Sequence, residues 1–181
     1  MAIAWRASDA LVGATQVAIF SRQTMLAVGK GGYSVLRRGR ISIPGHPYLV
    51  TSTTEARRQV FGDFDLACAL ARALHERRLF AGHELLCWVL MPDHWNGLLV
   101  LGEHESLSKC MQRFKSVSSL ALRRADRRLK TIWARGFHDR AIRKEESLVE
   151  AARYLVANPV RAGLVTRAGL YPFWDAAWLR A

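Results

Sequence analysis

The sequence predicts an α+β sandwich, in which a sheet is covered on one face by helices. Three observations carry the prediction. Extended and helical hydrophobic patterns follow one another in the order strand, helix, strand, strand, helix, strand, helix. Half of the residues are hydrophobic, enough to bury a core without disulfides or a structural metal. The length of 181 residues suits a single domain.

Each element has its own signal. His46 to Thr54 (HPYLVTSTT) is rich in β-formers and reads as a strand. Asp63 to Arg78 sets Leu66, Leu70, Ala73 and Leu74 on one helical stripe, with Arg72, Glu76 and Arg77 elsewhere. Glu84 to Met91 (ELLCWVLM) is a short apolar run, expected as a buried strand. Pro92-Asp93 marks a turn, and His94 to Leu101 (HWNGLLVL) is the returning strand. Leu107, Cys110, Met111, Phe114, Val117 and Ala121 recur at helical spacing. Ile132 to Ile142 reads as extended, broken at Gly136. Glu145 to Asn158 reads as a helix ended by Pro159, because the residue before a proline is biased away from helical geometry. The aromatic tail, Tyr171 to Trp178 (YPFWDAAW), is expected to dock on the body. Residues 1–40 lack a strong period and end in the basic run Arg37, Arg38 and Arg40. They are expected to be a poorly ordered extension with a basic arm, and residues 41–181 the folded domain.

Charge narrows the partners. Lys and Arg number 27 against 15 Asp and Glu, a net charge of +12. That balance favours a polyanion such as DNA, RNA or an anionic surface. No stretch approaches the roughly 18 apolar residues of a spanning helix. Ala10 to Phe20 is short and interrupted by Thr15 and Gln16, and no clean small-residue cleavage site follows, so no secretory signal is expected. Cys68, Cys87 and Cys110 form no CxxC pair and sit in apolar patterns. They read as buried thiols in a reducing cytoplasm.

Three groups of residues carry candidate chemistry. The first is the basic segment Lys109 to Lys130, including Arg113 and Lys115. It is either a solvated helix face or a phosphate-binding surface. The second is His94-Trp95-Asn96. Side chains alternate along a strand, so His94 and Asn96 share one face and Trp95 points the other way, into the core. Two ligand-type side chains on one face make half of a metal site, although a lone strand histidine is more often structural. The third is the helix ARYLVANPVRAGLV. Leu148, Ala152 and Leu155 form its core stripe, whereas Tyr154 and Asn158, one turn apart, share another face. Arg153 and Arg161 flank them and suit an anionic substrate. No Gly-rich phosphate loop, HExxH or Ser-His-Asp signature offers a different enzyme class. No RNP aromatic string supports an RRM-type RNA-binding protein.

Together these segments resemble a known family, the REP-associated tyrosine transposases, relatives of the single-tyrosine HUH insertion-sequence transposases. The resemblance spans about residues 34–178 and rests on LRRGRISIPGHPYLVT, WVLMPDHWNGLLVLG, LSKCMQRFKS, IWARGFHDRAIRKEESL, ARYLVANPVRAGLV and the aromatic tail. It implies a ferredoxin-like (RRM-like) antiparallel sheet covered by helices. It also implies cleavage and joining of single-stranded DNA at palindromic repeat hairpins through a covalent 5′-phosphotyrosine. Tyr154 matches the nucleophile, His94 the first histidine of the His-hydrophobic-His motif, and Trp95 its middle residue. Asn158 matches the position of a third, amide metal ligand. Asn96 departs from the pattern, because the family has histidine there. The implied cofactor is Mg²⁺ or Mn²⁺, held by His94, Asn96 and Asn158; both ions accept oxygen ligands, so an amide carbonyl can still coordinate. Arg37, Arg38, Arg40, Arg113, Lys115, Arg153 and Arg161 are the expected DNA contacts. The implied setting is a cytoplasmic, nucleoid-associated monomer or homodimer with no membrane contact. The alternative kept beside this reading is a hairpin-binding relative whose cleavage is impaired by Asn96.

Overall fold

A computed structural model describes residues 42–76, 78–143 and 146–179. The basic arm Arg37, Arg38 and Arg40 lies outside the described residues, as do Arg77 and Glu145. The strands are β1 (Pro47–Thr53), β2 (Glu84–Met91), β3 (His94–Val100), β4 (His138–Ala141) and β5 (Trp174–Ala176). The helices are α1 (Phe64–Leu74), α2 (Leu107–Ala125), α3 (Leu148–Val156) and the short α4 (Asn158–Arg161). All five strands join one antiparallel sheet in the order β4-β1-β3-β2-β5. The run β1-α1-β2-β3-α2-β4 with this strand order is the ferredoxin-like arrangement that was expected. The aromatic tail docks as an added edge strand, β5 on β2.

Period-two alternation sorts the sheet's side chains onto two faces. Tyr48, Val50, Trp88, Leu90, Trp95 and Leu99 bury themselves in the same core as the apolar stripes of α1 and α2. Val89, Met91 and Leu98 face the other way and pack with Ala152 and Leu155 of α3. The sheet therefore carries helices on both faces, and the one-face arrangement expected from sequence is corrected. The physical reason is β2, buried on both sides from Leu86 to Met91; a second layer must cover its second apolar row.

Local signals set the element ends. Asp63 caps α1, its carboxylate accepting from the amides of Asp65 (3.0 Å) and Leu66 (3.1 Å). Ser106 and Ser147 cap α2 and α3 through the amides of Lys109 and Glu150. The first helix ends at Leu74, short of the expected Arg78. The chain turns there so that Leu79 and Phe80 enter the core. Pro92-Asp93 forms the turn between the paired residues Met91 and His94. The last helix is split: α3 ends at Val156, and α4 restarts with Pro159 in its first turn, where its missing N–H costs nothing.

The larger core centres on Trp95, which is wholly buried and 4.5 Å, ring to ring, from Phe114. Phe114 in turn meets Trp133 at 5.2 Å, whose indole N–H donates to Ser118 Oγ at 2.9 Å. Gly97 is required by this packing, since a Cβ there would collide with the Trp95 ring. Lys115 ties α2 to the approach to β4, its Nζ donating to the carbonyls of Ala134 (2.7 Å) and Gly136. Burial pushes the Lys115 ammonium down to about 8, and Glu55 opposes that shift.

Two predictions follow from this packing. Gly97→Ala should lower unfolding stability in urea by about 1–3 kcal/mol, the usual cost of overpacking a filled core. Lys115 gives a pH effect of defined sign. Between about pH 8 and its ordinary value of 10.5, the unfolded chain keeps a proton that the folded chain has released. Stability from this group therefore rises with pH across that window. Urea titrations at pH 8 and pH 10 should show a smaller rise for Lys115→Met than for the unaltered chain.

Candidate functional site

The site begins with the direction of β3. Trp95 occupies one face, so His94 and Asn96 both lie on the face that α3 covers. Asn96 pairs with Thr51 across the ladder, and Thr51 Oγ1 donates to Asn96 Oδ1 at 2.6 Å. At 6% exposed, Asn96 is one of the few buried polar residues. His94 sits at the start of β3, its side chain 20% exposed and its Nδ1 2.5 Å from Asp93 Oδ1. The other carboxylate oxygen, Oδ2, accepts from Arg57 Nη1 at 3.1 Å. Burial alone would raise the Asp93 carboxyl. The hydrogen bonds from His94 and Arg57 outweigh it and hold the group below its ordinary value.

Arg57 reaches Asp93 from an unusual turn. Ala56 and Arg57 adopt φ of 53° and 54°, the positive-φ non-glycine residues among those described. Left-handed geometry of this kind costs about 1–2 kcal/mol per residue. Hydrogen bonds to the β2–β3 turn hold the segment in place. Thr54 N donates to Asp93 O (2.9 Å) and Phe61 N to Pro92 O (2.9 Å), while the single hydroxyl hydrogen of Thr54 lies between Arg58 O (2.7 Å) and Asp93 O (3.0 Å).

Tyr154, Asn158 and Arg161 form a second cluster. Tyr154 is 36% exposed on α3, a helix that packs on β2 and β3. The Arg161 guanidinium lies over its ring, 3.8 Å from the centroid. Arg161 Nη1 also donates to the Tyr154 carbonyl at 2.8 Å, and Nη2 to Asn158 Oδ1. The shared helix face read from sequence is thus bound together by Arg161. Arg153 stands exposed beside it.

The donor set can be tested against a divalent cation. Among the described residues there is no group of three or more His, Cys, Asp and Glu suited to a metal. His94 offers an imidazole nitrogen. Asn96 offers an amide oxygen that keeps one lone pair beyond its bond with Thr51. Those two fit an open site of the kind that hard cations complete with water and substrate phosphate. Asn158 fits less well than expected, because its oxygen already serves a guanidinium, and a second cation there would meet like charge.

Other expected contacts are revised. Arg113 is expected to face DNA, yet it folds back onto Glu105 and the carbonyls of Leu79 (3.2 Å) and Ala81 (3.1 Å). Lys115 is half-buried on its two carbonyls. Both side chains thus make contacts within the chain, Arg113 with a carboxylate and carbonyls and Lys115 with carbonyls. Trp133 is buried, and Phe137 packs against the core. Of the tail aromatics, Trp178 is exposed, whereas Tyr171 donates to the Leu90 carbonyl at 2.7 Å and Phe173 is buried. Cys87 and Cys110 are buried as expected, and burial pushes their thiols up to about 12 and about 11. Cys68 is only partly buried. Sequence reasoning missed Thr51, Asp93 and Arg57. Only Asp93 carried a signal, its place directly before His94.

Comparison with known proteins agrees with this architecture. A structure of a REP-associated tyrosine transposase bound to a REP hairpin matches with a TM-score of 0.58 and 25% identity, over 75% of this chain and 79% of that one. A Deinococcus radiodurans R1 protein assigned to the transposases matches with a TM-score of 0.50 and 22% identity, over 65% of this chain and 94% of that one. No curated protein matches significantly. Among the described residues, no helix is long and apolar enough to cross a membrane. The IS200-like transposase model matches residues 43–158, most of the described body with the His94 cluster, Tyr154 and Asn158, and the chain belongs to that family of DNA-processing proteins.

Proposed function

We propose that this chain binds hairpin-forming single-stranded DNA, and cleaves and rejoins it through Tyr154. The observation that carries the reading is the placement of His94 and Asn96 on the sheet face covered by α3, the helix that bears Tyr154. The hairpin bound by the similar transposase supports the choice of DNA. Exposed cations near α3 and at the end of α2, including Arg153, Arg124, Arg127 and Lys130, suit its phosphates.

The reaction is an in-line transesterification. The Tyr154 oxygen bonds to the scissile phosphorus as the bond to the 3′ oxygen breaks. The products are a 5′-phosphotyrosine and a free 3′-OH. The phenol proton goes to solvent or a nearby base, and the leaving 3′ oxygen gains one. Arg161, stacked on the Tyr154 ring, favours the incoming phosphate by its charge. Because one phosphoester replaces another, a second 3′-OH can reverse the step without ATP. His94 and Asn96 would hold Mg²⁺ or Mn²⁺, whose chemistry is polarisation of the scissile phosphate.

A specific observation favours a weakened site over a fully active one. Asn96 lends part of its only oxygen to Thr51, and an amide is a poorer donor than imidazole. Asn96→His should raise cleavage of a tagged hairpin oligonucleotide in Mg²⁺ or Mn²⁺. Equal rates in both forms would remove the weakened-site reading. Tyr154→Phe should abolish covalent protein–DNA adducts on denaturing gels while hairpin affinity stays within about twofold. Adducts persisting in that variant would rule out Tyr154 as the nucleophile.

A further inference from the structure

We infer that Asp93 is a positioning residue for His94, and that Arg57 fixes which way Asp93 acts. The inference rests on the proposed role of His94 at the site.

Asp93 Oδ2 takes the Arg57 guanidinium at 3.1 Å, and Oδ1 lies 2.5 Å from His94 Nδ1. With a guanidinium, a donor only, on one oxygen, the carboxylate serves as the acceptor on the other, so Nδ1 carries the hydrogen. In the neutral ring Nε2 is then the bare nitrogen, free for a cation or a proton. Such outer contacts orient an imidazole and fix its tautomer.

Arg57 is placed for this task by backbone strain. The consecutive positive φ angles at Ala56 and Arg57 are kept although neither residue is glycine. The segment is bonded to the same turn that carries Asp93, through the Asp93 and Pro92 carbonyls. The arginine therefore reaches a carboxylate 36 positions away in the chain. Strain held in place by surrounding bonds points to a function for the residue it presents.

The test uses the full chain labelled with ¹⁵N, reading the tautomer of His94 from ring spectra at a pH where the ring is neutral. The His94 signal is assigned by its loss in His94→Gln. The unaltered chain should show the Nδ1–H form. Asp93→Asn keeps the shape of the side chain. Its amide oxygen should stay with Arg57, which turns the amide N–H toward His94 and forces the hydrogen onto Nε2. Adduct formation should then fall about 10–100-fold, the usual effect of losing such a partner, with hairpin affinity unchanged. Adding Arg57→Ala to Asp93→Asn frees the amide to turn over and should return part of the Nδ1–H signal. An unchanged tautomer in Asp93→Asn overturns the inference, whatever happens to cleavage. A shifted tautomer in a protein whose unaltered form makes no adduct upholds the contact and refutes the cleavage reading instead. A melting temperature near that of the unaltered chain shows that the isosteric variant folds.

Discussion

Everything at the candidate site depends on which way β3 faces. Its side chains have a period of two, so one residue of slippage would exchange the two faces. Trp95 prevents that slip. Its indole is buried against Phe80 and Phe114, and Gly97 leaves the space its ring fills. A slip of one residue would take this large apolar group out of the core and turn a histidine and an amide into its place. The hydrophobic packing of Trp95 is therefore what aims His94 and Asn96, although the indole itself takes no part in the chemistry.

The second face is then closed by α3, whose Ala152 and Leu155 cover Val89, Met91 and Leu98. This layer brings Tyr154 to the same side of the sheet as His94 and Asn96. Electrostatics refine the arrangement. Arg161 holds the tyrosine ring and Asn158 together, and Arg57 holds Asp93 against His94. Arg57 and Arg113 pair with carboxylates that the net charge of +12 already subtracts, and Lys115 lies on two carbonyls, whereas Arg161 keeps its charge beside the tyrosine.

Much of this was legible in the sequence, and the limits have physical causes. The periodicity of β1, β2, β3, α1 and α2 was plain because each element buries a regular stripe. The alternation of His94, Trp95 and Asn96 followed from strand geometry alone. Helix coverage of both faces was missed, although the continuous apolar run of β2 is the pattern of a strand buried on both sides. The short β5 was read only as a docking tail, since its pairing with β2 is a long-range event with no local pattern. Pro159 marked a break between helices, but α4 begins at Asn158 and holds Pro159 in its first turn. The Arg57–Asp93 contact was invisible, as it depends on left-handed geometry at residues that give no glycine signal. Arg113 and Lys115 looked like a basic face because sequence shows charge and not the carbonyls that charge will meet.

The central claim is that this sheet face and α3 make one site with Tyr154 as its reacting group. Peptide mapping by mass spectrometry after incubation with a hairpin oligonucleotide tests it most directly. The account predicts a nucleotide mass on the tryptic peptide that begins at Tyr154. The same mass on a peptide holding Tyr48 or Tyr171, or no adduct with Mg²⁺ or Mn²⁺ supplied, would contradict it.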